Sequence, residues 1–301
     1  MNQYKTGPWL IFLAALLWAV DAPFRKFLTA GLPSATIVLM EHIVIAVLVI
    51  IFLAPRLKEL NRLSAFEWFS VFFIGFGGSA LATVFFTQSF HYVNPSVAIL
   101  LQKIQPIIAI FLAMLILKEK LMDRFWLWAA VAILGTYLVT LPDIRMSGLS
   151  LAGGTKGVAF ALLAALLWGS STVFGRVVLK KISFQAMTAI RFLTALVFLL
   201  FLNVYDNAIY TIGTASPRDW AYVFIIAILA GFVSLLIYYK GLRVTSASVA
   251  TLGELAFPFA AVVVNWKFLG ATLFPIQILG GLVLLFAVWK LSSVNAEMAA
   301  H

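Results

Sequence analysis

Residues 96–121 read SVAILLQKIQPIIAIFLAMLILKEKL, and residues 248–273 read SVATLGELAFPFAAVVVNWKFLGATL. Both begin Ser-Val-Ala, both carry polar side chains six to seven positions on, and both place a proline ten residues after the serine, at Pro106 and Pro258. Each is long enough to cross a bilayer as a helix. A polar side chain and a proline inside such a helix are costly unless neighbouring helices or water satisfy them. Their recurrence at matching places in two halves of a chain points to a transporter built from a duplicated unit.

Working outward, the run ALLWAVDAPFRKFL around Trp18 matches ALLWGSSTVFGRVVL around Trp168 at an offset of 150, which also sets Glu41 on Arg191. From the third span onward the offset is 152, aligning Trp68 with Trp220 and Pro106 with Pro258. Such long-range self-similarity is the mark of an internal repeat. Ten spans are predicted: Pro8–Leu28, Ser34–Ala54, Glu67–His91, Ser96–Leu117, Phe125–Leu141, Gly157–Leu179, Phe184–Asn203, Asp219–Tyr239, Ala247–Leu269 and Phe274–Leu291. They form two five-helix repeats, residues 7–142 and 157–292, joined by a loop at 143–156. Five is odd, so the second repeat starts on the opposite side from the first and the topology is inverted. The first hydrophobic segment is too long for a signal-peptide core and reads as a retained span.

The composition agrees. Of the 301 residues 63% are hydrophobic and 11% charged, far from the soluble balance. The net charge of +10 reflects loop lysines and arginines rather than nucleic-acid binding. Lys5, Arg56, Lys58, Arg62, Lys118, Lys120, Arg124, Arg176, Lys180, Lys181, Lys240, Arg243 and Lys290 fall on the side of the N-terminus, against Arg25, Lys26, Arg145, Lys156 and Arg218 on the other. Both termini are therefore expected in the cytoplasm, in an inner (plasma) membrane. With no cysteine and three scattered histidines, thiol chemistry and a metal site have no basis, and no cofactor is expected. No Walker-type loop, HExxH or GxSxG is present, which argues against ATP drive and against an enzyme. A channel-like facilitator is the rival class, although no filter-like repeat is visible.

Ionisable residues inside the spans carry the functional reading: Asp21, Glu41, His42, Lys103, Arg191 and Glu254. Glu41 and Lys103 lie about eight residues in from the outer face, or ~12 Å deep, and Arg191 and Glu254 lie equally deep from the inner face. Two ion pairs follow, Glu41–Lys103 and Arg191–Glu254, either making state-dependent contacts or holding helices together permanently. His42 is either a proton relay or bonded to the backbone. Asp21 either pairs with Arg25, four residues on, or contacts a coupling ion or substrate. A candidate substrate face combines Gln102 and Gln105, preceded by Asn94 and Ser96, with the stripe Ser79, Thr83, Thr87 and its counterpart Ser234, Tyr238, Tyr239. Hydroxyl and small residues at this spacing also serve helix packing. Trp18, Trp168 and Ser171 lie deep in their spans, where aromatic walls with a few polar groups describe a small-molecule pocket. A modest zwitterion fits such a pocket, with Lys103 or Arg191 on its carboxylate and Glu254 on its amine.

The Leu-Leu-Trp runs ending at Trp18 and Trp168, Arg191-Phe192, and Pro106 followed by Glu119-Lys120-Leu121 together resemble the EamA-type members of the drug/metabolite transporter superfamily. The resemblance covers about residues 7–292. Departures are Glu41 where the family often has arginine, Gly270-Ala271-Thr272 in place of the acidic motif, and Gln105 and Phe257 before the two prolines. What it implies is a basket of helices around a central cavity lined by helices one, three and four of each repeat. It also implies secondary export or uptake of metabolites such as amino acids, with export the expected direction and an uptake carrier the alternative, coupled to protons in some members. Helices five and ten would be peripheral and able to mediate a homodimer.

Overall fold

A proline in a helix interior offers no N–H to the carbonyl four residues earlier, and its ring collides with that carbonyl. Both quoted stretches give way there. In the computed structural model, which describes residues 3–93, 95–147, 155–269 and 272–299, the first runs as Pro95–Leu101, a tight 3₁₀ turn at Gln102–Ile104, then Gln105–Ile116 (together α4). The second runs as Ala247–Gly253, a turn at Glu254 and Leu255, then Ala256–Leu269 (together α9). Each break falls four residues before its proline, so Gln102 and Glu254 occupy equivalent corners.

The remaining helices are α1 (Gln3–Trp18 continuing as Asp21–Leu28), α2 (Ser34–Leu53), α3 (Ala65–Ser89), α5 (Asp123–Ser147), α6 (Thr155–Val178), α7 (Phe184–Tyr205), α8 (Pro217–Leu242) and α10 (Pro275–Met298). The duplication recurs in fine detail, because α3 widens to a π-helix over Phe73–Leu81 and α8 over Ile226–Val233. Among the described residues there is no strand, and nine helical segments are long and apolar enough to span a membrane. α5 is not one of the nine, although it is a 25-residue helix lying along α10. The outer surface is apolar, with Val47, Ile51, Val197 and Phe201 exposed, as a lipid-facing surface requires.

Packing obeys an exchange of halves. α1 packs on α8 and α9, and α6 packs on α3 and α4; α2 meets its counterpart α7, and α5 meets α10. The last pair touches backbone to backbone, since a Cβ at Gly280 would sit 2.6 Å from the Gly135 carbonyl and 2.7 Å from the Val139 nitrogen. Small residues permit this approach where no water drives association.

The two repeats are inverted. Near the start of α1, Gly7 lies against Val244 and Thr245, just past the end of α8. Asn295, late in α10, donates to the carbonyls of Tyr4 and Val244 at 2.7 and 3.1 Å. α6 ends at this level too, because Arg176 donates to the Arg243 carbonyl. The first helix of one repeat thus begins where the first helix of the other finishes. Asn94, residues 148–154, Gly270 and Ala271 lie outside the described residues, as do the side chains of Ser96 and Arg145.

Two acids of the first repeat close this same end. Glu119 accepts from the Ala247 and Ser248 amides at 2.7 and 3.1 Å and from the Ser248 hydroxyl at 2.7 Å, capping α9. Glu59 accepts from the Ser183 amide at 2.6 Å and its hydroxyl at 3.1 Å, just ahead of α7. A carboxylate at a helix N-terminus satisfies orphan amides and the positive end of the dipole. Glu119→Ala is therefore expected to cost about 1–2 kcal/mol, read as a lower Tm in detergent, with Glu119→Gln losing less.

Candidate functional site

Between the repeats lies a cavity of about 200 Å³. Both helix breaks reach it: Gln102, Gln105 and Pro106 from α4, and Thr251, Glu254 and Pro258 from α9. Its walls are aromatic and arranged as an exchanged pair. Trp18 of α1 lies 5.3 Å between centroids from Tyr238 of α8, and Trp168 of α6 lies 5.3 Å from Phe86 of α3. Trp18 and Trp168 are equivalent, as are Phe86 and Tyr238, so each repeat lends its first-helix tryptophan to the third-helix aromatic of the other. The Trp168 indole is fixed by a 2.8 Å bond from its Nε1 to the Gly78 carbonyl. That carbonyl lies in the π segment of α3, where a wider turn frees backbone acceptors. Gly78 must be small, because a Cβ there would run into the side chain of Ser171.

The buried charges are organised differently from the expectation. Glu41 pairs with Arg25, at 2.9 Å, and not with Lys103. Arg25 is 2% exposed and also binds Asp21 at 2.8 Å and the Thr87 hydroxyl at 2.9 Å. Depth along the membrane normal places Glu41 and Lys103 at one level but says nothing of rotation about the helices. The guanidinium, one turn beyond Asp21 on α1, fits between two carboxylates and a hydroxyl that together match its fork of donors.

Nor do Arg191 and Glu254 form an ion pair. Arg191 donates to the Tyr239 hydroxyl at 2.8 Å, to Ser79 at 3.1 Å and to the Gly78 carbonyl at 3.2 Å. Glu254 accepts from Tyr238 at 2.7 Å, from Thr172 at 3.1 Å and from the Gln105 amide at 2.5 Å. The two groups find neutral partners on α3, α4, α6 and α8, nearer than each other. His42 bonds the Val38 carbonyl through Nδ1 at 2.8 Å and Ser79 through Nε2 at 3.1 Å.

Of the residues singled out from sequence, Trp18, Asp21, Glu41, His42, Ser79, Thr83, Gln102, Lys103, Gln105, Trp168, Ser171, Arg191, Tyr238 and Glu254 border the cavity. Thr87 and Tyr239 stand behind it, each bonding a buried arginine, and Ser234 turns back to the Ala230 and Gly231 carbonyls of its own helix. Arg25, Phe86, Thr172 and Thr251 were not among the candidates, yet all four belong to the site. The repeat offset of 152 already aligned Phe86 with Tyr238, and Thr172 follows Trp168 by one turn, so those two were within reach of the sequence.

The EamA-like transporter family model matches residues 5–141 and 155–293. The chain is 32% identical over 303 residues to a protein named riboflavin transporter ImpX from Fusobacterium nucleatum subsp. nucleatum, covering 98% of this chain and all of that one. A solved crystal structure superposes with a TM-score of 0.71 over 95% of both chains at 14% identity, which speaks for the fold alone.

Proposed function

Since this chain belongs to the EamA-like transporter family, we propose that it is a secondary carrier for riboflavin or a similarly flat, amphipathic heterocycle, moved by alternating access of the cavity between α4 and α9. The observation that carries this reading is the exchanged aromatic pair, Trp18–Tyr238 and Trp168–Phe86, facing a 200 Å³ space. Aromatic faces stack on a planar ring from either side. Gln102, at the corner of α4, supplies an amide with both donor and acceptor for a heterocycle edge. The likeness to a protein named as a riboflavin transporter supports the same substrate class. An amino-acid substrate has less support, because Arg25, Arg191, Glu41 and Glu254 are already engaged with protein partners.

In this reading α5 is the tenth span, the repeats cover residues 7–142 and 157–292, and the protein lies in the inner membrane with both termini in the cytoplasm. A carrier without its own energy source runs in either direction, so gradients of solute and coupling ion set whether riboflavin enters or leaves.

Counterflow of riboflavin in proteoliposomes tests the proposal. Labelled riboflavin is expected to accumulate against unlabelled internal riboflavin, with competition by other flavins and none by tryptophan or tyrosine. Exchange of an amino acid without exchange of riboflavin would replace it with the rival substrate.

A further inference from the structure

The cavity holds three carboxylates, and they are held in two different ways. Asp21 and Glu41 share one guanidinium, that of Arg25. Glu254 is 8% exposed and, among the described residues, in no ion pair; its partners are two hydroxyls and an amide. The difference matters for any change of charge. Removing the charge on Glu41 or Asp21 would leave a buried guanidinium with one carboxylate where it had two. Hydroxyls and amides both donate and accept, so those around Glu254 suit the carboxylate and the carboxylic acid alike.

Two further observations point the same way. Glu254 stands at the corner of α9 equivalent to Gln102 in α4, so a neutral side chain of nearly identical shape already occupies the matching corner of the other repeat. Thr251, three residues before Glu254 on the same helical face, is fully buried and borders the cavity, and among the described residues its hydroxyl has no hydrogen-bond partner. A buried hydroxyl without a partner is unusual. A hydroxyl both donates and accepts, so one placed a turn from Glu254 suits either state of the carboxyl.

We infer that Glu254 is a proton-carrying site of the transport cycle: it takes a proton from water on one side of the membrane and releases it to water on the other, one per turnover. The inference rests on the carrier reading above and adds its coupling ion. The ionisable groups sharing the cavity are Asp21 and Arg25 on α1, Glu41 and His42 on α2, Lys103 on α4, Arg191 on α7 and Tyr238 on α8. Among the described residues α5 and α10, also packed on α9, contribute none to its lining. Asp21 and Glu41 are both ion-paired with Arg25, and His42 has both ring nitrogens engaged. Among the described residues, that leaves Glu254 as the cavity carboxylate whose partners are all neutral.

The test uses full-length protein in liposomes and compares, within each variant, riboflavin flux with and without a pH gradient, so that losses of protein or binding cancel in the ratio. Wild type is expected to show a ratio well above one, with steady-state riboflavin accumulation limited to about tenfold per pH unit for one coupled proton, Glu254→Gln a ratio near one, and Glu254→Asp a ratio well above one. Infrared difference spectra of detergent-solubilised protein across pH, with no solute present, should show a titrating carboxylic-acid band that Glu254→Gln removes. The inference falls if Glu254→Gln keeps the wild-type ratio, if a sodium gradient drives wild-type flux in place of the pH gradient, or if the band survives the substitution. Absence of riboflavin counterflow in wild type would sink the substrate assignment alone, because the infrared band is read without any solute.

Discussion

Trp168→Ala is expected to weaken riboflavin binding about ten- to a hundredfold, measured by quenching of flavin fluorescence on titration with protein. Stacking of a planar heterocycle on an aromatic side chain is worth ~1–3 kcal/mol by alanine substitution, and 1.4 kcal/mol is about a factor of ten in affinity. Trp168 stands at the upper end because its ring is fixed on both sides, by Phe86 at 5.3 Å and by the 2.8 Å bond to the Gly78 carbonyl. Trp168→Phe keeps a wall and loses that bond, so a loss of only a few-fold is expected. Trp18→Ala, the same change on the other side of the exchanged pair, should match Trp168→Ala within a few-fold. Unchanged affinity in both alanine variants would move the binding site away from these walls.

Glu41→Ala should destabilise the protein by about 3–5 kcal/mol, because it leaves the Arg25 guanidinium buried with one carboxylate where it had two. Arg25→Met alone should be comparably costly, since it leaves the buried Glu41 carboxylate without its cation and beside the partly buried Asp21. Together with Asp21→Asn, the double replacement Arg25→Met, Glu41→Leu should recover most of the loss, as apolar side chains of similar volume need no partner. Thermal unfolding in detergent checks all of these. The charge swap Glu41→Lys with Lys103→Glu should not rescue, because the structure pairs Glu41 with Arg25. Rescue by that swap would restore the pairing expected from depth alone.

Much of this architecture is written in periodic and local terms. The offset between Trp18 and Trp168 and between Pro106 and Pro258 exposes the duplication, and an odd number of spans per repeat demands inversion. The helix breaks at Gln102 and Glu254 follow from the prolines four residues later. What pattern could not supply was azimuth. Depth is readable from distance to a span end, whereas which neighbour a side chain meets depends on how each helix is rotated. That is why depth alone pairs Glu41 with Lys103 and Arg191 with Glu254, whereas Glu41 meets Arg25 and Arg191 meets Tyr239.

The sequence by itself determined a membrane-embedded, duplicated, inverted helical chain and named most of the polar side chains that border its cavity, because hydropathy, repeat offset and proline chemistry act along the chain. Only the tertiary structure decided that Trp18 faces Tyr238, that Trp168 faces Phe86, and that Arg25 gathers Asp21 and Glu41 while Glu254 is held by neutral groups. The aromatic contacts and the Gln105–Glu254 bond join the two halves, while the Arg25 cluster joins α1 to α2 within the first. All of them arise when the helices are packed together in three dimensions, with every buried polar group seeking the nearest group that satisfies it.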